Sequence, residues 1–154
     1  MELKSKQAVA APRDFVFEQA SDFTAFERQA LRRGIEVQKQ GGPAPVGRGW
    51  NASVKVLGRE RDVAARVIAF DAPQDYTVQG ESSGVEIFVR IEALPDGNGG
   101  SHLGLSVRFA PRSMPGRLVL QSLKLAHGSL ETRLAGRLEG YAREIEARWA
   151  RRAG

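Results

Sequence analysis

The sequence predicts an α+β fold: a curved antiparallel β-sheet of six or seven strands, two short helices after the first strand, and a long C-terminal helix that packs against the sheet. Three observations support this fold. Apolar residues recur at helical spacing over residues 117–151, which indicates one helix with one buried side. Residues 35–109 alternate instead with period two, as half-buried strands do. Two short helical patterns separate the first strand from the others.

The first strand and the two short helices come at the start of the chain. Residues 2–10 alternate weakly between apolar and polar side chains. Pro12 is tolerated in a first helical turn because its missing N–H would be unpaired there, and apolar residues follow it at helical spacing. Ser21 or Asp22 can cap a second helix, since a side-chain oxygen accepts from the free N–H groups of a helix start. We expect this helix to end near Gly34.

The remaining strands follow from alternation and from the Gly and Pro residues between them. Residues 85–93 give the strongest pattern, with one apolar face and one almost wholly charged face. The alternation slips within residues 63–70, which predicts a bulge or a bend. The predicted strands lie near Ile35, at 50–56, at 63–70, near Tyr76, at 85–93 and at 103–109.

Composition and length place the chain among ordinary globular domains. It has 154 residues, of which 42% are hydrophobic and 27% are charged, and we expect a single domain over residues 1–154. No apolar run of about 18 residues is present, and the first residues do not lead into the apolar core of a secretory signal. We therefore expect a cytoplasmic protein. The net charge of +5 favours anionic surfaces without requiring them.

Residue usage also limits the chemistry that we expect. Cysteine is absent, which excludes disulfides, thiolate metal sites and cysteine nucleophiles. The two histidines, His102 and His127, are far apart in the sequence, so we expect neither a metal site nor a cofactor. Basic residues are scattered and no aromatic-rich strand accompanies them, so we expect no nucleic-acid partner.

A short motif at the first predicted helix is similar to a known signature: an Ala-Pro pair, then a Val, then an Asp-aromatic pair. It reads Ala11-Pro12-Arg13-Asp14-Phe15-Val16-Phe17-Glu18-Gln19-Ala20-Ser21-Asp22-Phe23. With the order of elements, it makes the chain resemble the START-like (SRPBCC) superfamily, especially the polyketide cyclase/dehydrase and lipid-transport-like members, over essentially its whole length. The resemblance implies the helix-grip fold, in which a sheet wraps around the closing helix and a hydrophobic cavity lies between them.

The side chains that would line this cavity follow from the inward-facing positions of the strands and of the long helix. Any single aliphatic position among them is better explained by core packing, because a domain of this size needs its large apolar side chains there. The cavity is therefore an expectation about the set. Its members are Trp50, Val54, Val67, Tyr76, Val78, Ile87, Val89, Leu105 and Val107 from the sheet, and Leu123, His127, Leu130 and Leu134 from the helix.

His127 is the most discriminating residue of this set. It interrupts the apolar stripe of the long helix, where an unpaired imidazole would lose water without compensation. We expect it to find a hydroxyl or a backbone carbonyl of the sheet. A polar group of a ligand, or a proton in acid–base catalysis, is the functional alternative, since an imidazole titrates near neutral pH.

Three kinds of function fit these observations. The leading expectation is the binding or carriage of a small hydrophobic or lipid-like ligand in the cavity. The alternatives are a polyketide cyclase/dehydratase-like enzyme, in which His127 or Tyr141 would move protons, and a protein-interaction module. In the last case Leu118 and Leu125, which lie opposite the apolar stripe, would contact a partner. We assign no catalytic residue, and leave open a homodimer and a weak contact of the basic C-terminal tail with a membrane surface.

Overall fold

The computed structural model describes residues 1–56 and 58–153, with the side chains of Val56 and Ala153 outside the description. Seven strands and four helices follow one another in these residues. In chain order they are β1 (Glu2–Val9), α1 (Arg13–Ala20), α2 (Phe23–Arg32), β2 (Val37–Gln40), β3 (Gly49–Val56), β4 (Arg59–Asp71), β5 (Asp75–Ser82), β6 (Val85–Pro95), β7 (Ser101–Pro111), α3 (Met114–Leu125) and α4 (His127–Ala153).

The strands form one antiparallel sheet in the order β1-β7-β6-β5-β4-β3-β2. Val89 of β6 lies opposite Val78 of β5 on one side and Val107 of β7 on the other. These residues share one face because side chains at paired positions point the same way. The register shifts between Val67 and Ala69 of β4, which confirms the predicted bulge. The predicted α+β fold with an antiparallel sheet of six or seven strands is therefore confirmed, and the sheet of the described residues has seven.

The two short helices after β1 are also confirmed. Asp22 is the N-cap of α2, and its Oδ1 accepts a hydrogen bond of 3.1 Å from the backbone N–H of Ala25. Without this acceptor the first turn of α2 would leave that N–H unpaired. After α2 the chain turns at Gly34, whose φ of +77° is a conformation that glycine adopts without strain.

The C-terminal helix differs from the prediction in its start and in its continuity. It begins at Met114 rather than Arg117, because the side chain of Ser113 caps the backbone N–H of Gly116. It is also interrupted at Ala126, which ends α3 before α4 begins at His127. A single residue outside the helix changes the apolar spacing very little, so the periodicity of the sequence did not reveal the break.

Buried apolar side chains form two groups, one near each end of the strands of the sheet. The main core surrounds α1, where Val16 of α1 and Ile145 of α4 are both fully buried. Aromatic rings extend it, with the centroids of Phe17 and Phe70 5.4 Å apart. The sheet contributes five buried residues to this main core: Val9, Val67, Tyr76, Ala93 and Leu103. At the other end, beside α3, the buried apolar residues are Leu3, Val85, Leu120 and Leu123.

Helix α4 runs alongside β1, the strand at the edge of the sheet. Glu146 of α4 holds the end of β1, because its Oε2 accepts a hydrogen bond of 2.8 Å from the backbone N–H of Ala10, the residue after the strand. Arg143 holds the same carboxylate through contacts of 2.6 and 2.7 Å. None of the helices in the described ranges, 1–56 and 58–153, has the length and apolar character needed to cross a membrane.

The carboxylate of Glu146 makes stability depend on pH. The hydrogen bond from Arg143, followed by that from Ala10, lowers the pKa of Glu146 from its ordinary value of 4.5. Glu146 is therefore harder to protonate in the folded chain than in the unfolded one. Its ionised carboxylate contributes fully to the free energy of unfolding above the ordinary pKa, and this contribution is lost as pH falls through the lowered pKa. We expect the urea midpoint of unfolding to fall as pH is lowered through this acid range. In Glu146→Gln we expect the urea midpoint to depend less steeply on pH.

Arg143→Met separates the causes of this effect. It removes the hydrogen bond from Arg143, which is the larger cause, and leaves that from Ala10. We therefore expect the urea midpoint to depend on pH less steeply than in the wild type and more steeply than in Glu146→Gln. A Glu146→Gln protein with the wild-type slope from neutral to acid pH would contradict this assignment.

Candidate ligand-binding surface

Between its two buried ends, the inner face of the sheet carries half-exposed apolar side chains. On β6, Val85 and Ala93 are buried, whereas Ile87 and Val89 between them are only half-buried. Val107, opposite Val89 on β7, is half-buried as well. An antiparallel sheet that packed evenly against its helices would bury such positions throughout. The inner face is therefore covered at its ends and less covered in its middle.

The helices show the same discontinuity. Leu123 of α3 is buried, Leu130 and Leu134 of α4 are half-buried, and Leu138 and Ile145 are buried again. Leu134 and Leu130 lie one and two turns before Leu138 on the same side of α4, since residues four apart share a helix face. We name the half-buried residues of sheet and helix together the central strip: Ile87, Val89, Val107, Leu130 and Leu134.

The other residues predicted to line a cavity lie around the central strip. Val67 and Tyr76 belong to the main core, and Trp50, Val78 and Leu105 pack against it while partly buried. At the opposite end, Leu123 of α3 is buried. Val54 is half-buried near the tip of the β3–β4 hairpin. The structure thus places the predicted residues on one face, and a direct contact of each with a ligand stays a prediction.

His127 lies at the edge of the strip rather than at its centre. It is the first residue of α4, and 42% of its side chain is exposed. Its Nε2 donates a hydrogen bond of 3.1 Å to the carbonyl oxygen of Glu2 on β1. Oε2 of Glu131, one turn further along α4, is 3.6 Å from the same nitrogen. Of the expected partners, the backbone carbonyl of the sheet is thus the one present.

The two tyrosines near the main core have structural partners. The hydroxyl of Tyr76 donates a hydrogen bond of 2.6 Å to the carbonyl oxygen of Ala20, and that of Tyr141 donates one of 3.0 Å to Gln19. Burial raises the pKa of both phenols well above the ordinary value. Both are therefore protonated at neutral pH, and their protons hold the C-terminal end of α1 against β5 and α4.

A buried carboxylate at the α2 side of the sheet was not anticipated from the sequence. Glu27 of α2 is 8% exposed, and its Oε2 accepts hydrogen bonds of 2.6 Å from Nε1 of Trp50 and 3.0 Å from Nη2 of Arg48. Its other oxygen is 3.6 Å from Nζ of Lys39. Phe23, one turn earlier on α2, packs on the Trp50 ring with centroids 5.5 Å apart. We name Glu27, Arg48 and Trp50 the Glu27 cluster.

The charge of Glu27 is stabilised by its partners. Burial raises the pKa of Glu27, but the hydrogen bonds from Trp50 and Arg48 and the positive charges of Arg48 and Lys39 together lower it by more. The pKa therefore lies below its ordinary value, and Glu27 is ionised at neutral pH. The Glu27 cluster fixes α2, and with it the Trp50 ring, over the inner face of β3.

A depression of about 680 Å³ lies elsewhere, on the outer face of β2 to β5. It is open, and it shares no residue with the central strip. Charged and amide side chains interrupt its apolar lining, and an apolar ligand bound there would cover them without giving them partners. The polar side chains around it include Glu36, Gln38, Asn51, Asp62, Glu81 and Arg112. The candidate site is therefore the half-buried apolar surface of the inner face rather than this depression.

Within residues 1–56 and 58–153, no three His, Asp or Glu side chains are grouped as a metal ion would require. The central strip itself consists of apolar side chains, and His127 at its edge donates to a main-chain carbonyl oxygen. Such a surface can remove an apolar molecule from water, and its polar groups can orient that molecule.

Comparison with known proteins gives matches among solved structures. No family model matches the chain, and no curated protein matches it either. TTHA0849 from Thermus thermophilus is 13% identical with a TM-score of 0.70, over 96% of this chain and 98% of that one. A START superfamily protein from Mycobacterium smegmatis is 21% identical with a TM-score of 0.62, over 94% of this chain and 98% of that one.

A plant enzyme has a similar structure. Norcoclaurine synthase from Thalictrum flavum is 18% identical with a TM-score of 0.67, over 96% of this chain and 84% of that one. Together these matches show that the chain has the helix-grip fold of the START-like (SRPBCC) superfamily, as the motif at residues 11–23 predicted. At these identities the likeness concerns the fold alone.

Proposed function

We propose that the protein binds a small hydrophobic or lipid-like molecule over the central strip, between the inner face of the sheet and α4. The observation that carries this proposal is the change in burial along β6, where the half-buried Ile87 and Val89 lie between the buried Val85 and Ala93. Withdrawing about 100 Å² of apolar surface from water contributes about 2.5 kcal/mol. A ligand over the strip supplies this burial where the protein's own side chains do not.

The polar side chains around the strip favour binding over catalysis. A cyclase or dehydratase needs a side chain that gives or takes a proton at the ligand. Tyr76, Tyr141 and His127 each donate instead to a main-chain carbonyl oxygen. The leading role is therefore that of a binder or carrier, with a cyclase/dehydratase-like enzyme as the alternative.

A titration with N-phenyl-1-naphthylamine, a neutral fluorophore that brightens in apolar surroundings, tests the proposal. We expect saturable binding with one site per chain, reversed by a long-chain alcohol that competes for the same surface. Native mass spectrometry of the purified protein would identify a ligand that remains bound. Fluorescence that rises linearly with protein concentration, without saturation or competition, would exclude a specific apolar site.

A further inference from the structure

The outward side of α3 carries an exposed apolar stripe. Met114 is 72% exposed, Leu118 is 67% exposed and Leu125 is 92% exposed. At about 100° per residue, these three side chains fall within an arc of about 40° on the helix. The buried Leu120 and Leu123 of α3 lie on the opposite side. Helix α3 therefore has an apolar side that faces solvent in addition to the one that faces the protein.

The charged residues of α3 itself have one sign. From residue 112 to residue 130 the sequence contains Arg112, Arg117 and Lys124 and no acidic residue. Arg112 is paired with Glu86, whereas Arg117 and Lys124 are exposed and lie along one flank of the stripe. The surface thus combines exposed apolar side chains with cationic ones.

Helix α3 is fixed at its first turn, so the stripe is formed in the folded protein. Gly116 lies directly against Gly84 in the β5–β6 turn, and a Cβ at Gly116 would collide with the carbonyl oxygen of Gly84. That same oxygen accepts a hydrogen bond of 2.8 Å from the backbone N–H of Arg112. The stripe is therefore held on a rigid element, which reduces the entropic cost of docking.

We propose that α3 docks on the surface of an anionic phospholipid bilayer. Met114, Leu118 and Leu125 would enter the boundary between headgroups and acyl chains, while Arg117 and Lys124 contact the lipid phosphates. An exposed apolar stripe beside basic side chains is the arrangement with which helices lie in the plane of a membrane. An antiparallel pairing of two copies along the stripe would instead place the cationic flanks side by side, where they repel each other.

This proposal stands independently of ligand binding. The stripe faces away from the central strip, so a protein that fails to bind N-phenyl-1-naphthylamine can still dock, and the reverse also holds. If both proposals are right, docking brings the α3 end of the central strip close to the bilayer, where lipid-like molecules are found.

Flotation of the full chain with vesicles tests the docking surface. We expect the protein to float with vesicles of phosphatidylcholine that contain phosphatidylserine, and to float much less with phosphatidylcholine alone. We expect Leu125→Asp to reduce the apparent affinity for the anionic vesicles by about tenfold or more, because it places a charge at the apolar boundary. Leu125 is exposed, so we expect the variant to fold like the wild type, and circular dichroism checks this directly.

Leu31→Asp is the matched control. Leu31 of α2 is 64% exposed, close to the 67% of Leu118, so it is an accessible leucine outside α3, and its substitution should leave flotation unchanged. Flotation lost equally in Leu31→Asp, or no flotation of the wild type, would overturn the proposal. So would a dimer in sedimentation velocity that Leu125→Asp dissociates, since the stripe would then be a contact between copies. Equal binding to both kinds of vesicle would likewise overturn it, because the cationic flank would have no role.

Discussion

Val89→Trp is expected to weaken the binding of N-phenyl-1-naphthylamine by about tenfold or more, a loss of about 1.4 kcal/mol. Val89 lies in the central strip, where it is half-buried between Val78 and Val107 of the neighbouring strands. An indole at this position would occupy the surface that the ligand needs. Because the site is not closely packed, we expect the free energy of unfolding to change by less than about 1 kcal/mol. Fluorescence titration and urea denaturation measure the two quantities.

The control for this prediction lies on the same strand. Leu94 of β6 is 36% exposed. It follows the inward-facing Ala93 in the strand, so its side chain points to the outer face, and Leu94→Trp adds an indole away from the central strip. We expect it to bind the fluorophore like the wild type. A folded Val89→Trp protein with undiminished affinity would place the ligand elsewhere, and an equal loss in Leu94→Trp would show a non-specific effect of the indole.

Glu27→Ala is expected to lower the free energy of unfolding by about 2–4 kcal/mol at neutral pH. The substitution removes the acceptor of Nε1 of Trp50 and Nη2 of Arg48, which lie at 2.6 and 3.0 Å in the folded protein. Hydrogen bonds to charged groups contribute about 1.5–3 kcal/mol, and donors left unpaired in a buried place add to the loss. Urea denaturation followed by tryptophan fluorescence measures the change.

Two further variants show whether the effect belongs to the Glu27 cluster. Glu18→Ala removes an exposed glutamate of α1 that lies 3.8 Å from Arg152, and we expect a change within about 0.5 kcal/mol. A Glu27→Leu, Arg48→Met double variant replaces both charges by apolar groups, and we expect it to recover part of the stability lost in Glu27→Ala. If Glu27→Ala unfolds at the wild-type urea concentration, the cluster contributes nothing to stability.

The face of the sheet on which a strand side chain lies was predictable, because it depends on a local rule. Successive side chains of a strand point to opposite faces, so the alternation in residues 85–93 assigns Val89 and Glu86 to different faces before any partner strand is known. The slip in residues 63–70 likewise predicted a bulge or a bend, and the observed register shift lies within that segment, between Val67 and Ala69. The short helices were predictable from Pro12 and from the cap at Asp22 for the same reason.

The break between α3 and α4 was not predictable in this way. Ala126 is a residue that favours helices, and no proline interrupts the pattern around it. Contacts with distant residues accompany the interruption: Gly116 lies against Gly84, and His127 donates to the carbonyl oxygen of Glu2. Those contacts join positions that are remote in sequence, and helical periodicity contains no information about them.

The candidate surface was predictable in part. Alternation identified the face of the sheet on which its residues lie, but not which of them α1 and α3 cover. Whether Val89 is half-buried and Ala93 buried depends on the places at which those helices rest along the strands. The Glu27 cluster was missed because a glutamate on a short helix is ordinarily solvated, and its partners Arg48 and Trp50 lie 21 and 23 positions away.

The pairing of β1 with β7 affects the order in which the chain can fold. Strands β2 to β6 each pair with a chain neighbour, whereas β1 must wait for β7, and the bond from Ala10 to Glu146 joins residues 136 positions apart. On the ribosome, the β2–β6 meander can therefore form while β1 is still unpaired, and α4 can cover it only after nearly the whole described chain has emerged. Contacts between residues so far apart in sequence make folding slow. The apolar inner face of the sheet stays exposed until these contacts have formed.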